Sequence, residues 1–527
     1  MAVRRQLNSQ GSVNAAVKSI CDIMRRSNLA GAMAYVPELT WILFLRILDE
    51  RETREAEEAK ALSVPFTPSL SSPYRWQDWA APYDLRLPIA DLRLSGKKKR
   101  ELYRGWKRKE LQDSALGAFF QFVNSDLIPH MKELKDQPNA TPRQKVISEI
   151  FSGVERTRID TERNLLDVLD KVDELSHESV DTTHVFPLSQ VYEGLLLKMG
   201  EKNNDGGQFF TPREVIRILV RGIDPQVDET VYDPVIGTGG FHAESYAHVR
   251  AALGDSITAE QMETLKRRTF YGREKDNVIY PIALANLVLH EIDEPHIWHG
   301  NTLTGQETYG GLFAGAPALY DVVFMNPPFG GKEGKEAQTK FAYKTGATQV
   351  LFLQHVIDSL KPGGRAGIVL DEGVLFRTNE TAFVQTKRKL LDECDLWAII
   401  SLPPGTFINA GAGVKANLLF FTKGKPTEKV WYYDVSDVKV TKKQPLTRDK
   451  FDDFFKLLPK RGESERSWTV SRAELEKRGF DLKAVNPNRR VVEDARTPEQ
   501  LLDIIETKGR EVAEAVAKLR TSGRKSR

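Results

Sequence analysis

Between about residues 185 and 425, short apolar runs alternate with segments of helical spacing, and this alternation restricts the possible folds more than any other feature of the chain. The short runs fall at 230–233, 269–273, 321–325, 366–370, 397–402 and 416–422. Their length and near-continuous hydrophobicity suit strands buried on both faces. Helical spacing occupies 212–221, 240–253, 276–290 and 348–360. The pattern predicts the α/β class: a doubly wound, Rossmann-like sheet whose ligands sit at the carboxyl ends of its strands.

The remaining sequence has a different texture. At 527 residues the chain is too long for one ordinary core. Residues 1–170 read as a helical domain, 171–430 as the α/β domain and 431–527 as a smaller carboxyl-terminal region. Within the first, Val13–Cys21 and Leu39–Leu48 carry apolar residues at helical spacing. The second run is hydrophobic nearly all round, which predicts a buried core helix. Within the last, Trp431–Val435 predicts one more strand. A final helix opens at Thr497-Pro498-Glu499-Gln500, a capping box with proline in the first turn. It continues with Leu501, Ile505, Val512, Val516 and Leu519 on one face.

One strand ends in an unusual way. Asp321-Val322-Val323-Phe324-Met325 runs straight into Asn326-Pro327-Pro328-Phe329-Gly330. The prolines lack N–H groups and fix φ, and the first also holds Asn326 extended. The result is a rigid corner with one amide, prolyl carbonyls and one aromatic face. A planar base with an exocyclic amine fits it: Asn326 and the Pro327 carbonyl accept from the NH2, and Phe329 stacks on the ring. A stiff turn closing a strand would use the same residues without any ligand.

A second constellation lies upstream. The first strand turns into its helix through Asp233-Pro234-Val235-Ile236-Gly237-Thr238-Gly239-Gly240-Phe241, where glycines permit close approach by a nucleotide-like ligand. The loop is neither GxGxxG nor a Walker A motif. The acid before it would repel a pyrophosphate but suits a ligand with a positive amino group, such as the methionine end of S-adenosylmethionine. Glu274 ends the second strand, where a carboxylate can accept ribose hydroxyls. Asn301 follows the third and could meet an adenine edge, although Asn after Gly also forms turns. Before them all stands Gln208-Phe209-Phe210-Thr211-Pro212-Arg213-Glu214. Thr211 with Glu214 reads as a capping box with Pro212 at the first helical position. The helix start could receive the ligand's carboxylate, with the paired aromatics lining its pocket.

Composition excludes some classes. With 76 basic and 73 acidic side chains the net charge is +3, so any nucleic-acid surface must be local. Lys97 to Lys109 holds eight Lys or Arg around Tyr103 and Trp106, either a solvated helix face or a phosphate contact. Cys21 and Cys394 form no CxxC pair, which fits a reducing cytosol and gives no expectation of a metal site. The start lacks a hydrophobic signal core and no apolar run approaches 18 residues, so the expected location is cytoplasmic, without a membrane span.

Together the Gln208–Arg213 segment, Asp233-Pro234 with Gly237–Phe241, and Asn326–Phe329, in that order, resemble the adenine-N6 DNA methyltransferases. The resemblance is to the modification (M) subunits of type I restriction–modification systems in particular. Leu360–Arg365, Leu402–Phe407 and Asn417–Phe421 extend it over most of the chain. Departures are Val235-Ile236 where Ala-Cys is usual, Asp371 in place of a proline, and Asn301 where Asp is frequent. The resemblance implies S-adenosyl-L-methionine as cofactor. Gln208, Phe209, Phe210, Thr211, Pro212, Arg213, Asp233, Gly237, Thr238, Gly239, Gly240, Glu274 and Asn301 would hold it. Asn326, Pro327, Pro328 and Phe329 would act on an adenine flipped from double-stranded DNA, with Phe407 a candidate for its other face. No metal is implied. Too little chain follows the sheet for a DNA-reading domain, so sequence recognition is expected from a specificity (S) subunit, and the resemblance implies a second M copy and a restriction (R) subunit as further partners. Rival readings are a protein glutamine methyltransferase and a non-catalytic DNA-binding scaffold. Gly330 to Lys344 reads as a mobile segment beside the corner.

Overall fold

The computed structural model describes residues 10–27, 29, 32–85, 103–174, 211–407, 413–441, 444–483, 485–488 and 497–522. The chain forms two compact units, Met1–Val485 and Asn486–Arg527.

The amino-terminal part is helical, with α1 (Gln10–Arg26), α2 (Ala32–Ala61), α3 (Pro142–Phe151) and α4 (Glu162–Asp173) as its main elements. Leu39, Trp41, Ile42, Leu43, Phe44, Leu45 and Leu48 of α2 are all buried, as the all-round apolar run predicts. The described cations of the basic stretch are paired with acids of the helical part. Arg104 pairs with Asp173 at 2.7 Å, Lys107 with Glu110 at 2.8 Å, Arg108 with Asp170 at 2.6 Å and Lys109 with Asp113 at 2.6 Å. These cations knit the helical part together; 97–102 lie outside the described residues.

Ten strands form one mixed sheet: β1 (Val231–Asp233), β2 (Phe270–Glu274), β3 (His296–Asn301), β4 (Gln306–Tyr309), β5 (Tyr320–Met325), β6 (Leu360–Asp371), β7 (Cys394–Ser401), β8 (Ala416–Lys423), β9 (Lys429–Asp434) and β10 (Ser467–Ser471). Their spatial order is β10-β9-β7-β8-β6-β5-β1-β2-β3-β4. The strands β3, β2, β1, β5 and β6 are parallel, and β8 runs antiparallel between β6 and β7. Every strand expected from the apolar runs is present, shifted by a few residues. The main helices around the sheet are α5 (Arg213–Ile223), α6 (Gly240–Leu253), α7 (Ile279–Leu289), α8 (Thr348–Ser359) and α9 (Thr381–Glu393).

From β1 the chain winds outward through β2 and β3, then returns to place β5 on the other side of β1. The crevice at that reversal, above the carboxyl ends of β1 and β5, is where an open α/β sheet binds ligands. At the opposite end the Asp321 carboxylate ties three strand starts together, accepting from Thr230 N at 2.9 Å and Lys361 Nζ at 2.7 Å.

Helix α7 has no exposed face, and all of its residues are buried. The helical part covers it. Arg51 donates to Val288 O at 3.1 Å and to the Asp293 carboxylate, while Arg143 donates to Glu55 at 2.8 Å.

Two boundaries differ from expectation. The sheet continues beyond residue 430, because β9 pairs in parallel with β7 and β10 with β9; the separate unit starts at Asn486. Gly330 to Lys344 is folded rather than loose. Lys332 bridges to Ala347, Gln354 bonds both Tyr343 N and Tyr343 O at 3.0 Å, and Lys340 Nζ donates to Thr304 O. Among the described residues no helix is long and apolar enough to cross a membrane.

Candidate active site

The strand ends at the reversal enclose a cavity of about 160 Å³. Its lining includes Thr211, Asp233, Gly237, Thr238, Gly240, Glu274, Asn301, Asn326 and Pro328, so residues expected on separate grounds meet in one cleft. Gly239, Pro212, Arg213, Pro327 and Phe329 do not line it, though each is within two positions of a residue that does. Gln208, Phe209 and Phe210 lie outside the described residues.

The glycine loop is held from three sides. Gly237 N donates to Glu274 Oε2 at 3.0 Å and Ile236 N to Arg273 O at 3.0 Å, both on β2. Asn286 Nδ2 of α7 donates to Thr238 O at 2.9 Å, and Thr302 Oγ1 to Pro234 O at 2.7 Å. Gly237 and Gly239 have φ of 55° and 84°, a region that glycine enters without a Cβ penalty. A Cβ on Gly239 would also lie 3.0 Å from Leu287.

Two carboxyls are buried in the floor. Asp233 is 1% exposed and accepts from Val235 N at 2.9 Å. Burial pushes it up to about 8, and nearby Glu274 adds to the effect. Glu274 accepts from Gly237, Lys275 and Asp276 N–H groups, yet burial still raises it to about 7. A carboxylate has about four lone-pair sites, so three N–H bonds leave it able to accept again. Groups in this state gain most from a cation or a hydroxyl donor brought beside them. Asn301 spends its oxygen on the turn, accepting from Leu303 N at 3.0 Å and Thr304 N at 3.3 Å. Its NH2 is the end left to meet a ligand.

Asn326 sits at the end of β5, and its Nδ2 donates to Thr211 Oγ1 at 2.9 Å. Its Oδ1 is buried with no hydrogen-bond partner among the described residues. A buried acceptor without a donor costs roughly 1–3 kcal/mol, so it marks a place where a donor belongs. The Thr211–Glu214 capping box is not formed: Thr211 serves Asn326, and Glu214 turns to Arg217 at 2.8 Å. The helix begins at Arg213, with Pro212 as its cap. Phe329 meets Phe407 edge to face at 5.1 Å and 74°. Phe407 is buried and at this spacing supports Phe329; there is no room for a base between the two rings.

The cleft also contains residues that no motif indicated. Arg273 lines it and stacks on Trp298 at 4.6 Å. Glu333 and Thr348 line it as a pair, with Thr348 Oγ1 donating to Glu333 Oε1 at 3.0 Å. The signal for Glu333 was its place in the segment just after the corner. Asp371, the departure from proline, caps a single helical turn by accepting from Val374 N at 2.9 Å.

Comparison with known proteins identifies the family. Residues 13–172 match the HsdM N-terminal domain and 184–495 match N-6 DNA methylase. The EcoEI methylase subunit of a type I restriction enzyme from Escherichia coli is 32% identical over 528 residues, covering 97% of each chain. A solved chain from work on assembly and conformational transition of the type I R-M system is 34% identical, with a TM-score of 0.70 over 97% of this chain and 98% of that one. The modification subunit of a type I restriction enzyme from Vibrio vulnificus YJ016 is 30% identical, with a TM-score of 0.74 over 90% and 97%. With its helical region, its methylase sheet and the cleft between β1 and β5 all accounted for, the chain belongs to the N-6 DNA methylase family as a type I restriction–modification modification subunit.

Proposed function

We propose that this chain is the catalytic subunit of its assembly and transfers a methyl group from S-adenosyl-L-methionine to N6 of an adenine turned out of duplex DNA. Family membership makes it an adenine-specific DNA methyltransferase. The observation that carries the finer reading is the unpartnered Asn326 Oδ1 at the cleft, an acceptor poised for an amine.

The residues present fit the cofactor. Asp233 would face its amino group, Glu274 the ribose and Asn301 the adenine edge. The α5 start at Thr211, Pro212 and Arg213 would receive the carboxylate, with Gln208, Phe209 and Phe210 beside it, against the loop Gly237–Gly240. When bound, the cofactor supplies an electrophilic methyl on a sulfonium. Asn326 Oδ1 and the Pro327 carbonyl accept from the adenine NH2. This favours a tetrahedral nitrogen whose lone pair is no longer delocalised into the ring. Pro328 keeps the corner rigid, and Phe329 stacks on the displaced base. Positioning and electrostatics supply the acceleration.

Asn326→Ala, in the assembled complex, should lower labelled methyl transfer to DNA by about 10³-fold while cofactor affinity stays within about twofold. Near-normal transfer by that variant would remove the mechanism.

Sequence recognition falls to a specificity subunit in this reading, with a second modification copy and a restriction subunit completing the assembly on double-stranded DNA. The terminal helix (α10, Pro498–Ser522) supports it, because Leu501, Ile505, Val512 and Val516 are all exposed. Removing residues 497–527 should abolish co-purification with the specificity subunit; an intact complex would exclude the helix as its dock.

A further inference from the structure

The two ends of an asparagine amide have nearly the same shape and opposite hydrogen-bonding character. Asn326 can assist only with its oxygen towards the target amine; turned over, its NH2 would oppose another NH2. In this structure Nδ2 is engaged with Thr211 Oγ1 at 2.9 Å and Oδ1 is left free. A hydroxyl, however, can donate as well as accept. Thr211 could equally give its proton to Oδ1 of a reversed amide, unless that proton is committed elsewhere.

Thr211 itself lines the cleft and stands just before α5, whose first N–H groups and dipole favour an anion. A carboxylate there accepts the Thr211 proton in a charge-assisted bond, stronger than one to a neutral amide oxygen. The hydroxyl oxygen is then purely an acceptor, and only Nδ2 can satisfy it. We propose that Thr211 is a positioning residue that fixes the Asn326 amide with its oxygen towards the base, and does so when the cofactor carboxylate is in place. The device makes the base site competent only after the cofactor site is filled. It rests on the reading that the cofactor carboxylate occupies the α5 start. No bond is broken, and the proton remains on Oγ1.

The test is steady-state methylation by the assembled complex at saturating cofactor and DNA. Thr211→Val, nearly isosteric, should lower kcat by about 10- to 100-fold, and Thr211→Ser should recover it to within about threefold. An unchanged kcat in Thr211→Val, with only cofactor affinity reduced, would overturn the positioning role while leaving the carboxylate assignment standing. A lowered kcat with unchanged cofactor affinity would support the pin and overturn its dependence on the cofactor. Asn326→Asp provides an independent arm, because both carboxylate oxygens accept and orientation no longer matters. In that background Thr211→Val should cost less than about threefold in kcat. A full additive loss would overturn the proposal, and if Asn326→Asp is inert the Val–Ser comparison decides. Absence of DNA methylation by the wild-type complex would instead refute the function itself.

Discussion

On the β1 side of the cleft, four hydrogen bonds from β2, α7 and the turn after β3 tie down one short glycine loop. On the β5 side, Asn326 is held by a single side-chain bond and keeps an acceptor unsatisfied. The contrast separates two tasks. Holding a cofactor favours a preformed cradle, whereas acting on a base requires a group whose best partner arrives with the substrate. The cofactor side carries buried acids and glycines at positive φ; the base side carries proline rigidity and an open valence.

The largest effect that would sharpen this contrast is a pH dependence of cofactor affinity. Asp233 and Glu274 are raised to about 8 and about 7, so in the free protein at neutral pH Asp233 is mainly neutral and Glu274 is divided between its two forms. Raised carboxyls stabilise the free fold at acid pH, and that contribution is lost as pH climbs through these values. A cationic ligand beside Asp233 reverses the preference. Affinity should therefore tighten by up to about tenfold per unit below pH ~8, level off above it, and be accompanied by proton release seen in calorimetry across buffers. A flat profile from pH ~6 to ~8.5 would mean that no cation sits beside Asp233.

A smaller effect comes from backbone strain. Gly239→Val, forced to φ of 84° against Leu287, should destabilise the fold by roughly 1–3 kcal/mol in thermal or urea unfolding. Gly334→Val, on the base-side loop at φ of −69° with open space around it, should cost under about 0.5 kcal/mol. Equal losses would erase the distinction between the two halves. Smallest of all, Asn301→Asp keeps the turn and adds a second acceptor. Because the end facing the ligand changes from donor to acceptor, it should weaken the cofactor by only about two- to fivefold in equilibrium titration.

How much could be read in advance follows from the range of each interaction. Strands buried on both faces announce themselves locally, and so does the terminal helix, whose Thr497–Gln500 capping box is present with both bonds. The corner at Asn326 and the glycine loop are local too. The Thr211–Asn326 bond joins residues 115 positions apart, and the local capping pattern pointed Thr211 to Glu214 instead. In the basic stretch, likewise, the partners of Arg104 and Arg108 are Asp173 and Asp170, more than sixty positions away and invisible to local pattern. Strand β10 gave no apolar signature because it joins the sheet at its edge, antiparallel to β9. Glu333 offers only its place after the corner as a signal; it reaches the cleft because its segment folds back beside Thr348.

Helix α7 has a consequence for the whole molecule. Near its carboxyl end Val288 O receives Arg51 from the helical region, and Asp293 just beyond takes the same arginine. Two residues before Val288, Asn286 grips the glycine loop at Thr238. One rigid beam therefore bears the helical region at one side and the cofactor cradle at the other. Changes at the Arg51 contacts and at the Thr238 contact thus act on the same buried helix.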